Sequence, residues 1–264
     1  MEKAIIAFSF DDGRLDNYTN AYPILKKYHL PATFNITSGY IKGNIDREKF
    51  DFPEPMTIDM VREIFNDPLF EIAGHGNQHI NTKDDIVSGI KDLQELLNTE
   101  NLNSEANGFA SPGSDLTEEM YRNMKSALTS NHINYVRISC RYRSFKMFKV
   151  LFRKISRIIK WPWIYKTAYQ DTLMSEVNDG ILYSIPVLSS VTPEQLKAII
   201  GLAVKEKQAC VLMLHSIVAQ EEMRNTWDYR KDHFERLCKI LSDYQKSNLL
   251  EVKTTMGLYL SLRK

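Results

Sequence analysis

The stretch Ala-Ile-Ile-Ala-Phe-Ser-Phe-Asp-Asp-Gly at residues 4–13 sets the pattern for the whole chain. A short and largely apolar run ends abruptly in two carboxylates and a glycine. Runs this apolar are typical of strands in parallel sheets, because helices cover both faces of such a sheet. The stretch therefore predicts a buried parallel strand with polar side chains at its carboxyl end.

Similar runs alternate with helical patterns along the chain, which is the signature of βα units. Strands are predicted at 4–10, 32–37, 71–73, 106–110, 135–139, 181–187, 209–214 and near 250–253, and helices at about 17–29, 84–98, 117–130, 193–205 and 229–247. Seven or eight such units favour a closed barrel over an open sheet. We predict an α/β fold, a (β/α) barrel of about seven parallel strands, with residues 1–264 forming one domain.

Composition excludes several other classes of protein. The 264 residues include 34 basic and 33 acidic side chains, 43% hydrophobic residues and only three cysteines. This content excludes a globally disordered chain and a disulfide-stapled scaffold. No apolar run approaches the roughly 20 residues that cross a bilayer, and no secretory signal is evident at the start. Scattered cysteines suit a reducing compartment, so we expect a cytoplasmic protein.

Polar side chains follow three of the predicted strands. Asp11 and Asp12 follow the first, His75 and His79 the third, and His215 the strand at 209–214. Taken singly, the aspartate pair is typical of a turn, and the His-x-x-x-His pair is typical of an incidental pair on a helix or first turn. A lone histidine after a strand is typically structural. In a barrel, however, the carboxyl ends of all strands meet at one rim. Two imidazoles and one carboxylate there leave a coordination position open, as in catalytic zinc sites.

Three of these segments resemble motifs of a known family. They read Ser-Phe-Asp-Asp-Gly at 9–13, His-Gly-Asn-Gln-His at 75–79 and Leu-Met-Leu-His at 212–215. In order and spacing they are similar to the first, second and fifth motifs of the polysaccharide deacetylases, the NodB homology or carbohydrate esterase 4 family. The resemblance implies a distorted (β/α) barrel and the metal-dependent removal of acetyl groups from sugars.

The resemblance also implies roles for individual residues. Asp11 matches the catalytic base, and Asp12, His75 and His79 match the ligands of a divalent metal, with Zn²⁺ the leading candidate. His215 matches the general acid, which as an imidazolium would protonate the departing amine. A two-histidine, one-carboxylate site also suits Fe(II), but oxygenase chemistry would leave the base and the acid without a task.

The family's third motif is altered in this chain. Its counterpart, Phe-Ala-Ser-Pro-Gly at 109–113, lacks the usual arginine and aromatic residue. The backbone N–H of Gly113, next to Pro112, is still expected on the oxyanion and substrate side, because that contact needs no side chain. Arg137, on the next predicted strand, is the candidate cation to orient the base; membership of a basic surface is the alternative.

The family's fourth motif, which usually holds an aspartate and a tryptophan, has no clear counterpart. By residue type its candidates are Trp161, Trp163 and Asp171. The residues that form the substrate wall are therefore not determined by the pattern.

Charge is distributed unevenly. Between Met120 and Gln170 the chain has twelve Lys or Arg residues and no Asp or Glu. Within this stretch, residues 144–160 form an amphipathic pattern that predicts a basic helical insertion near 141–166. Two interpretations stay open: residues 144–165 contact an anionic membrane surface, or the helix packs its apolar face on the barrel like any outer helix.

Together these features predict a metal-dependent carbohydrate deacetylase. Its expected substrate is an N-acetylated glycan or lipid-linked sugar in cell-surface polysaccharide or glycolipid synthesis, at the cytoplasmic face of the membrane. One alternative is a hydrolase of a small-molecule or cyclic amide on the same fold, and another is a non-catalytic glycan-binding barrel. No nucleic acid is expected as a partner, since no reading module is present.

Overall fold

The computed structural model describes residues 1–45, 53–103, 106–143 and 145–263. Its main sheet has strands β1 (Ala4–Phe10), β2 (Ala32–Ile36), β3 (Phe70–Gly74), β4 (Asn107–Ala110), β5 (Ile133–Ile138), β6 (Ile181–Pro186), β7 (Ala209–Leu214) and β10 (Leu250–Val252). Two further short strands, β8 (Ile217–Val218) and β9 (Tyr229–Arg230), pair with each other outside this sheet.

Strands β1 to β7 form a closed parallel barrel. Neighbours follow chain order, and β7 returns to pair with β1 from Ile5↔Ala209 to Phe10↔Leu214. The predicted (β/α) barrel of about seven parallel strands is thus confirmed. On its other side, β1 pairs with β10 through residues 4–6 and with β2 through residues 8–10. Because one edge of β1 is shared between two partners, the barrel departs from regular geometry.

The helices are α1 (Tyr22–Tyr28), α2 (Ser38–Ile41), α3 (Ile58–Asn66), α4 (Lys83–Leu97), α5 (Glu118–Ser130), α6 (Lys146–Ile158), α7 (Pro162–Tyr169), α8 (Pro193–Glu206), α9 (Lys231–Lys246) and α10 (Thr255–Leu262). Threonine side chains cap several of them; Thr192, for example, forms a capping box with Gln195. The predicted helix at 17–29 begins instead with a π-helical turn, Asn17–Ala21. Among the described residues, every helix is too short or too polar to cross a bilayer.

Apolar side chains lie between the sheet and the helices. Phe8 and Phe10 on β1 point outward, and the centroids of their rings lie 5.5 and 5.7 Å from the ring centroid of Phe234 on α9. Successive residues of a strand face opposite sides, so Ser9 points into the barrel. There its hydroxyl accepts a hydrogen bond from Asn35 at 2.8 Å. The barrel interior therefore includes buried polar groups, and these continue as far as the carboxyl rim.

The basic insertion packs in an unexpected orientation. Helix α6 packs against α7, and Lys149, Arg153 and Ser156 are its buried residues, whereas Met147 and Leu151 are exposed. Of its apolar side chains, Phe152 is partly buried against the core, but most of the others are exposed, so packing of the apolar face on the barrel does not account for this helix. The predicted stretch 144–160 begins at Ser144, which lies outside the described residues.

Candidate active site

Three predicted ligands meet at the carboxyl rim of the barrel. Asp12 follows β1, and His75 and His79 follow β3. The Oδ1 atom of Asp12 lies 3.3 Å from the Nε2 atom of each histidine, and the ligand atoms of all three residues fall within 4.8 Å of one another. Asp12 has a φ of 78°, in the left-handed region that non-glycine residues rarely adopt. Such strain is common at functional sites.

The chemistry of these donor atoms fits a divalent cation. The Nδ1 atom of His75 lies 2.8 Å from the carbonyl oxygen of Ala110, which requires the proton on Nδ1 and leaves the Nε2 lone pair directed at Asp12. The Oδ1 atom of Asp12 is buried and receives no hydrogen bond from the described residues. A carboxylate oxygen and an imidazole lone pair repel each other unless a cation or proton lies between them.

Arg14 binds the other oxygen of Asp12. Its Nε and Nη2 atoms both lie 2.8 Å from Oδ2, and its Nη1 atom donates to Ser216 at 2.9 Å. Burial of Asp12 opposes its ionised form, but the adjacent Arg14 guanidinium is the largest opposing cause, and the pKa of Asp12 is held well below its usual range. The carboxylate thus remains charged, with one oxygen oriented by Arg14 and the other directed at the histidines.

The loop that carries the histidines is not helical, which corrects the prediction of a helix or first turn. His79 has a φ of 58°, and α4 begins only at Lys83. The buried carboxylate of Asp85 accepts hydrogen bonds from three backbone amides of this loop, at residues 77, 78 and 80, at 2.7–3.2 Å. Gly76 is required beside it, because a Cβ atom there would lie 2.3 Å from Asp85. Asp85 therefore fixes the loop that positions both imidazoles.

Asp11 is held by the cation that the sequence suggests. The Nη2 atom of Arg137 lies 2.7 Å from both carboxylate oxygens of Asp11, and Asn35 donates to Oδ1 at 2.9 Å. Both charged side chains are almost fully buried. Arg137 pairs in register with Ala110 of the altered third motif. Strand β5 therefore supplies the guanidinium, at the same level in the barrel as the third motif on the neighbouring strand β4, which lacks the usual arginine.

His215 lies on the opposite flank of Asp11. Its Nε2 atom is 3.8 Å from Oδ2 of Asp11, and its ring packs on Trp227 with centroids 4.6 Å apart. Burial lowers the pKa of His215 to about 4, against the partial opposition of Asp12 and Asp11. This shift favours the neutral imidazole in the ligand-free protein, whereas the sequence predicts an imidazolium as the general acid. Any proton that His215 donates has to reach it during the reaction.

A small cavity of about 120 Å³ joins these groups. Its wall is formed by Asp11, Asp12, Arg14, His79, Ser111, Gly113, Ser114, His215 and Trp227. Gly113 thus lies where the sequence places it. Pro112 is buried, does not line the cavity, and accepts a hydrogen bond from Asn81 through its carbonyl oxygen. The cavity is smaller than the roughly 300–1,000 Å³ of typical ligand pockets, so it suits an acyl group rather than a sugar ring.

The candidates for the fourth motif lie elsewhere. Trp161 and Trp163 are exposed next to α6, and Asp171 pairs with Lys149 at 2.5 Å. Trp227 supplies an aromatic wall instead, from a loop that follows β8. The Nδ1 atom of His215 is buried without a hydrogen-bond partner among the described residues, so no carboxylate there orients its ring.

Sequence reasoning missed three residues of the site, namely Arg14, Asp85 and Trp227. Arg14 had a usable signal, since a cation two residues after Asp12 can return to its carboxylate. Asp85 is one of two adjacent acidic residues in the first turn of α4, where acids are common in any helix. Trp227 lies in a loop without a periodic pattern. The sequence alone therefore does not identify Asp85 or Trp227 as residues of the site.

The barrel rim thus brings two histidines and a carboxylate together beside a second buried carboxylate, and sequence comparison indicates the class of protein. The pattern that defines the polysaccharide deacetylase family matches residues 1–130, which carry Asp11, Asp12, His75 and His79. The predicted resemblance to the polysaccharide deacetylases is thus confirmed over residues 1–130.

Individual relatives are similar over shorter stretches. The chain is 31% identical over 101 residues to a poly-beta-1,6-N-acetyl-D-glucosamine N-deacetylase of Staphylococcus aureus strain MRSA252, and equally to that of strain COL. These matches cover 38% of this chain and 33% of each relative, so the chain spans about a third of the length of these relatives.

A crystal structure of a candidate polysaccharide deacetylase from Mycobacterium smegmatis shares the fold. It superposes with a TM-score of 0.54, covering 99% of this chain and 91% of the other, at 15% sequence identity. At this identity the likeness concerns the fold alone.

Proposed function

We propose that this protein is a metal-dependent hydrolase that removes the acetyl group from an N-acetylated sugar. The observation that carries the proposal is the unbonded Oδ1 atom of Asp12, 3.3 Å from the Nε2 atoms of His75 and His79. Asp11 and His215 flank this cluster in the same small cavity. The cluster supplies two nitrogen ligands and one oxygen ligand, and leaves room for a water or substrate oxygen.

Asp12, His75 and His79 would hold the ion, and this donor set favours Zn²⁺ among common divalent ions. A bound ion of this kind supplies Lewis-acid polarisation of a carbonyl group and a lower pKa for water. His75 keeps its Nε2 lone pair available because its Nδ1 atom is committed to the carbonyl oxygen of Ala110. Arg14 restricts Asp12 to one free oxygen, which sets the direction of the carboxylate ligand.

Asp11 and His215 would move the protons. Arg137 and Asn35 orient the Asp11 carboxylate, which accepts a proton from the attacking water. His215 lies 3.8 Å away and starts neutral, so it can receive that proton from Asp11 and pass it to the departing amine. The amine needs this proton, because an amide anion is a very poor leaving group. Gly113 lines the same cavity, and its backbone N–H would stabilise the negative charge that develops on the carbonyl oxygen.

An N-acetylated glucosamine unit fits this geometry. The cavity accommodates an acetyl group, and the partly exposed ring of Trp227 offers a flat apolar face at its wall for a sugar ring outside. The relatives from Staphylococcus aureus are named for the N-deacetylation of a poly-beta-1,6-linked N-acetylglucosamine. We extend the substrate class, N-acetylated hexosamine polymers or lipid-linked sugars, to this chain as part of the proposal.

Acetate release from a substrate panel tests the proposal. N-acetylglucosamine oligomers should release acetate in the presence of Zn²⁺, and the release should stop with a chelator and return with added metal. Asp12→Ala and His79→Ala should abolish it, whereas Asp59→Ala, an exposed carboxylate on α3, should not. Cyclic amides in the same panel test the alternative chemistry. Metal-loaded protein that binds the oligomers without releasing acetate would support the non-catalytic alternative and overturn the proposal.

We also propose that the protein works in the cytoplasm, in the synthesis of a cell-surface polysaccharide or glycolipid. Cys140, Cys210 and Cys238 are all free thiols, which suits a reducing compartment. Fractionation of the native cells, with antibody detection, tests this placement. Recovery of the protein only outside the cytoplasmic membrane would contradict it.

A further inference from the structure

Helix α6 exposes most of its apolar side chains and buries two of its cations. Met147 and Ile158 are each 82% exposed, whereas Lys149 and Arg153 are 6% and 7% exposed. An outer helix of a barrel normally does the reverse, since burial of its apolar stripe is what holds it in place. The residues that we call the outward apolar face are Phe145, Met147, Phe148, Leu151, Ile158, Ile159, Trp161 and Trp163.

Specific polar contacts hold the helix in this orientation. Lys149 pairs with Asp171 at 2.5 Å, and the side-chain amide of Gln195 donates to the carbonyl oxygen of Ser156 at 2.9 Å. The guanidinium of Arg153 stacks on the rings of Tyr142 and Tyr169, at 4.0 and 4.5 Å. Buried charges are costly unless paired, and both buried cations have found partners. The outward apolar face is therefore fixed by the fold rather than left over from poor packing.

Exposed cations surround this face. They are Arg143, Lys146, Lys154, Arg157 and Lys160. Residues 120–170 contain no acidic side chain, and Asp171, the first one after them, is already paired with Lys149. A second copy of the chain seated on the same face would bring two such groups of cations together, which is unfavourable. An anionic surface would neutralise them instead.

We propose that the outward apolar face inserts into the headgroup region of an anionic lipid bilayer. Phe, Leu, Ile and Trp side chains on one side of a helix, with Lys and Arg beside them, are the composition of helices that lie in the membrane interface. Trp161 and Trp163 form the end of the face, and tryptophan favours the boundary between acyl chains and headgroups. The exposed cations contact anionic headgroups, which strengthens binding.

This surface is connected to the catalytic rim. Lys160 donates to the carbonyl oxygen of Ser190 at 2.5 Å, and the neighbouring Ser189 amide donates to Thr226 at 3.0 Å. The next residue, Trp227, packs on His215. Insertion of the face would therefore hold the cavity beside the membrane, where the sugar of a lipid-linked substrate lies. The lipid contact itself does not depend on the proposed deacetylation.

Vesicle flotation of the full chain tests the proposal. Phosphatidylcholine vesicles that contain phosphatidylglycerol should bind the protein at least about tenfold better than pure phosphatidylcholine vesicles. The double variant Leu151→Ser with Ile158→Ser should abolish flotation on both kinds of vesicle. Leu249→Ser, which replaces an exposed leucine before β10, should leave flotation unchanged. Lys154→Glu with Arg157→Glu should remove only the preference for anionic lipid. The matched control is Lys239→Glu with Lys246→Glu on α9, which changes the net charge equally.

Two further measurements separate the outcomes. Sedimentation velocity should show monomers for the wild type and for each variant, and turnover of a soluble substrate should be unchanged in the Leu151 and Ile158 variant. Flotation of that variant like the wild type would overturn the proposal. A wild-type dimer that this variant abolishes, without vesicle binding, would assign the face to a second copy and overturn it as well.

Discussion

The Arg137 guanidinium crosses the barrel interior to reach Asp11, with one nitrogen 2.7 Å from each carboxylate oxygen. Strand β5 and strand β1 are not neighbours in the sheet, so this ion pair joins two sides of the barrel. Both side chains are almost fully buried, and the cation takes the place of the arginine missing from the third motif. The pair therefore couples the stability of the barrel to the orientation of the Asp11 carboxylate, the proposed base.

Replacement of Arg137 should reduce turnover without removing the metal. In Arg137→Ala we expect kcat to fall by about 10²- to 10³-fold, because the base loses its orientation, while metal content stays at the wild-type level. Arg137→Lys should be intermediate, since a single ammonium can contact Asp11 but cannot also donate to Ser184, as the Nη1 atom of Arg137 does at 3.2 Å. Steady-state kinetics and metal analysis of the same preparations check both expectations.

The same variant should also be less stable. Removing one partner of a buried ion pair leaves an uncompensated charge and typically costs about 3–5 kcal/mol of unfolding free energy. Kinetics should therefore be measured below the unfolding temperature of each variant. Wild-type kcat in folded Arg137→Ala would contradict a positioning role for this residue.

Asp85 should control metal affinity from outside the ligand set. Asp85→Ala removes the acceptor of three backbone hydrogen bonds in the loop that carries His75 and His79, and we expect metal affinity to fall by about 10- to 100-fold. Asp85→Asn keeps one acceptor oxygen and should lose less. The adjacent Asp84, whose side chain is 90% exposed, gives the matched control as Asp84→Ala. Calorimetric titration with Zn²⁺ measures these affinities, and equal values for the two alanine variants would refute the role of Asp85.

Trp227 should bind the sugar rather than drive the chemistry. We expect Trp227→Ala to raise KM for an acetylated oligosaccharide by about tenfold, with a smaller change in kcat, because the ring supplies apolar contact area at the cavity wall. Trp227→Phe should retain most of the affinity. Trp161→Ala removes an exposed indole that does not line the cavity and should leave KM for a soluble oligosaccharide unchanged. An unaltered KM in Trp227→Ala would exclude a sugar contact at this ring.

Asp16 should make stability depend on pH. Burial raises the pKa of Asp16 to about 6, against the hydrogen bond from the Ile217 amide at 2.7 Å. Since the unfolded pKa is about 3.9, the folded state binds the proton more tightly, and ionisation reduces stability as the pH rises from about 4 to about 6. For this partly exposed group we expect a loss on the order of 1–2 kcal/mol.

Asp16→Asn keeps the acceptor for the Ile217 amide but cannot ionise. Denaturant unfolding of the metal-free protein should therefore show the variant gaining stability relative to the wild type between pH 4 and pH 7. A difference between the two proteins that stays constant over this range would contradict the raised pKa.

Sequence predicted the fold best where strands are uniformly buried. The bounds of β1 and β7 match the predicted 4–10 and 209–214 because both runs are buried throughout, largely apolar, and followed by polar residues. Helices α3 and α10 were not predicted. Helix α10 is too short and too apolar all round to show a helical period, so only its contacts with the barrel reveal it.

Within the site, the sequence revealed residues that are grouped in short motifs and failed for those that act through tertiary contacts. Asp11, Asp12, His75 and His79 belong to such motifs, whereas Trp227 reaches His215 from a separate loop. The orientation of α6 is a similar case. Its pattern defines two faces, but the contacts of Lys149 with Asp171 and of Arg153 with two tyrosine rings decide which face is buried.

Metal stoichiometry of the purified protein tests the central claim most directly. After loading with Zn²⁺ and dialysis, elemental analysis should give one ion per chain for the wild type and for Asp59→Ala, and close to none for the double variant His75→Ala with His79→Ala. A folded wild-type protein that retains no ion, or a double variant that retains the same amount as the wild type, would contradict the assignment of Asp12, His75 and His79 as a metal site.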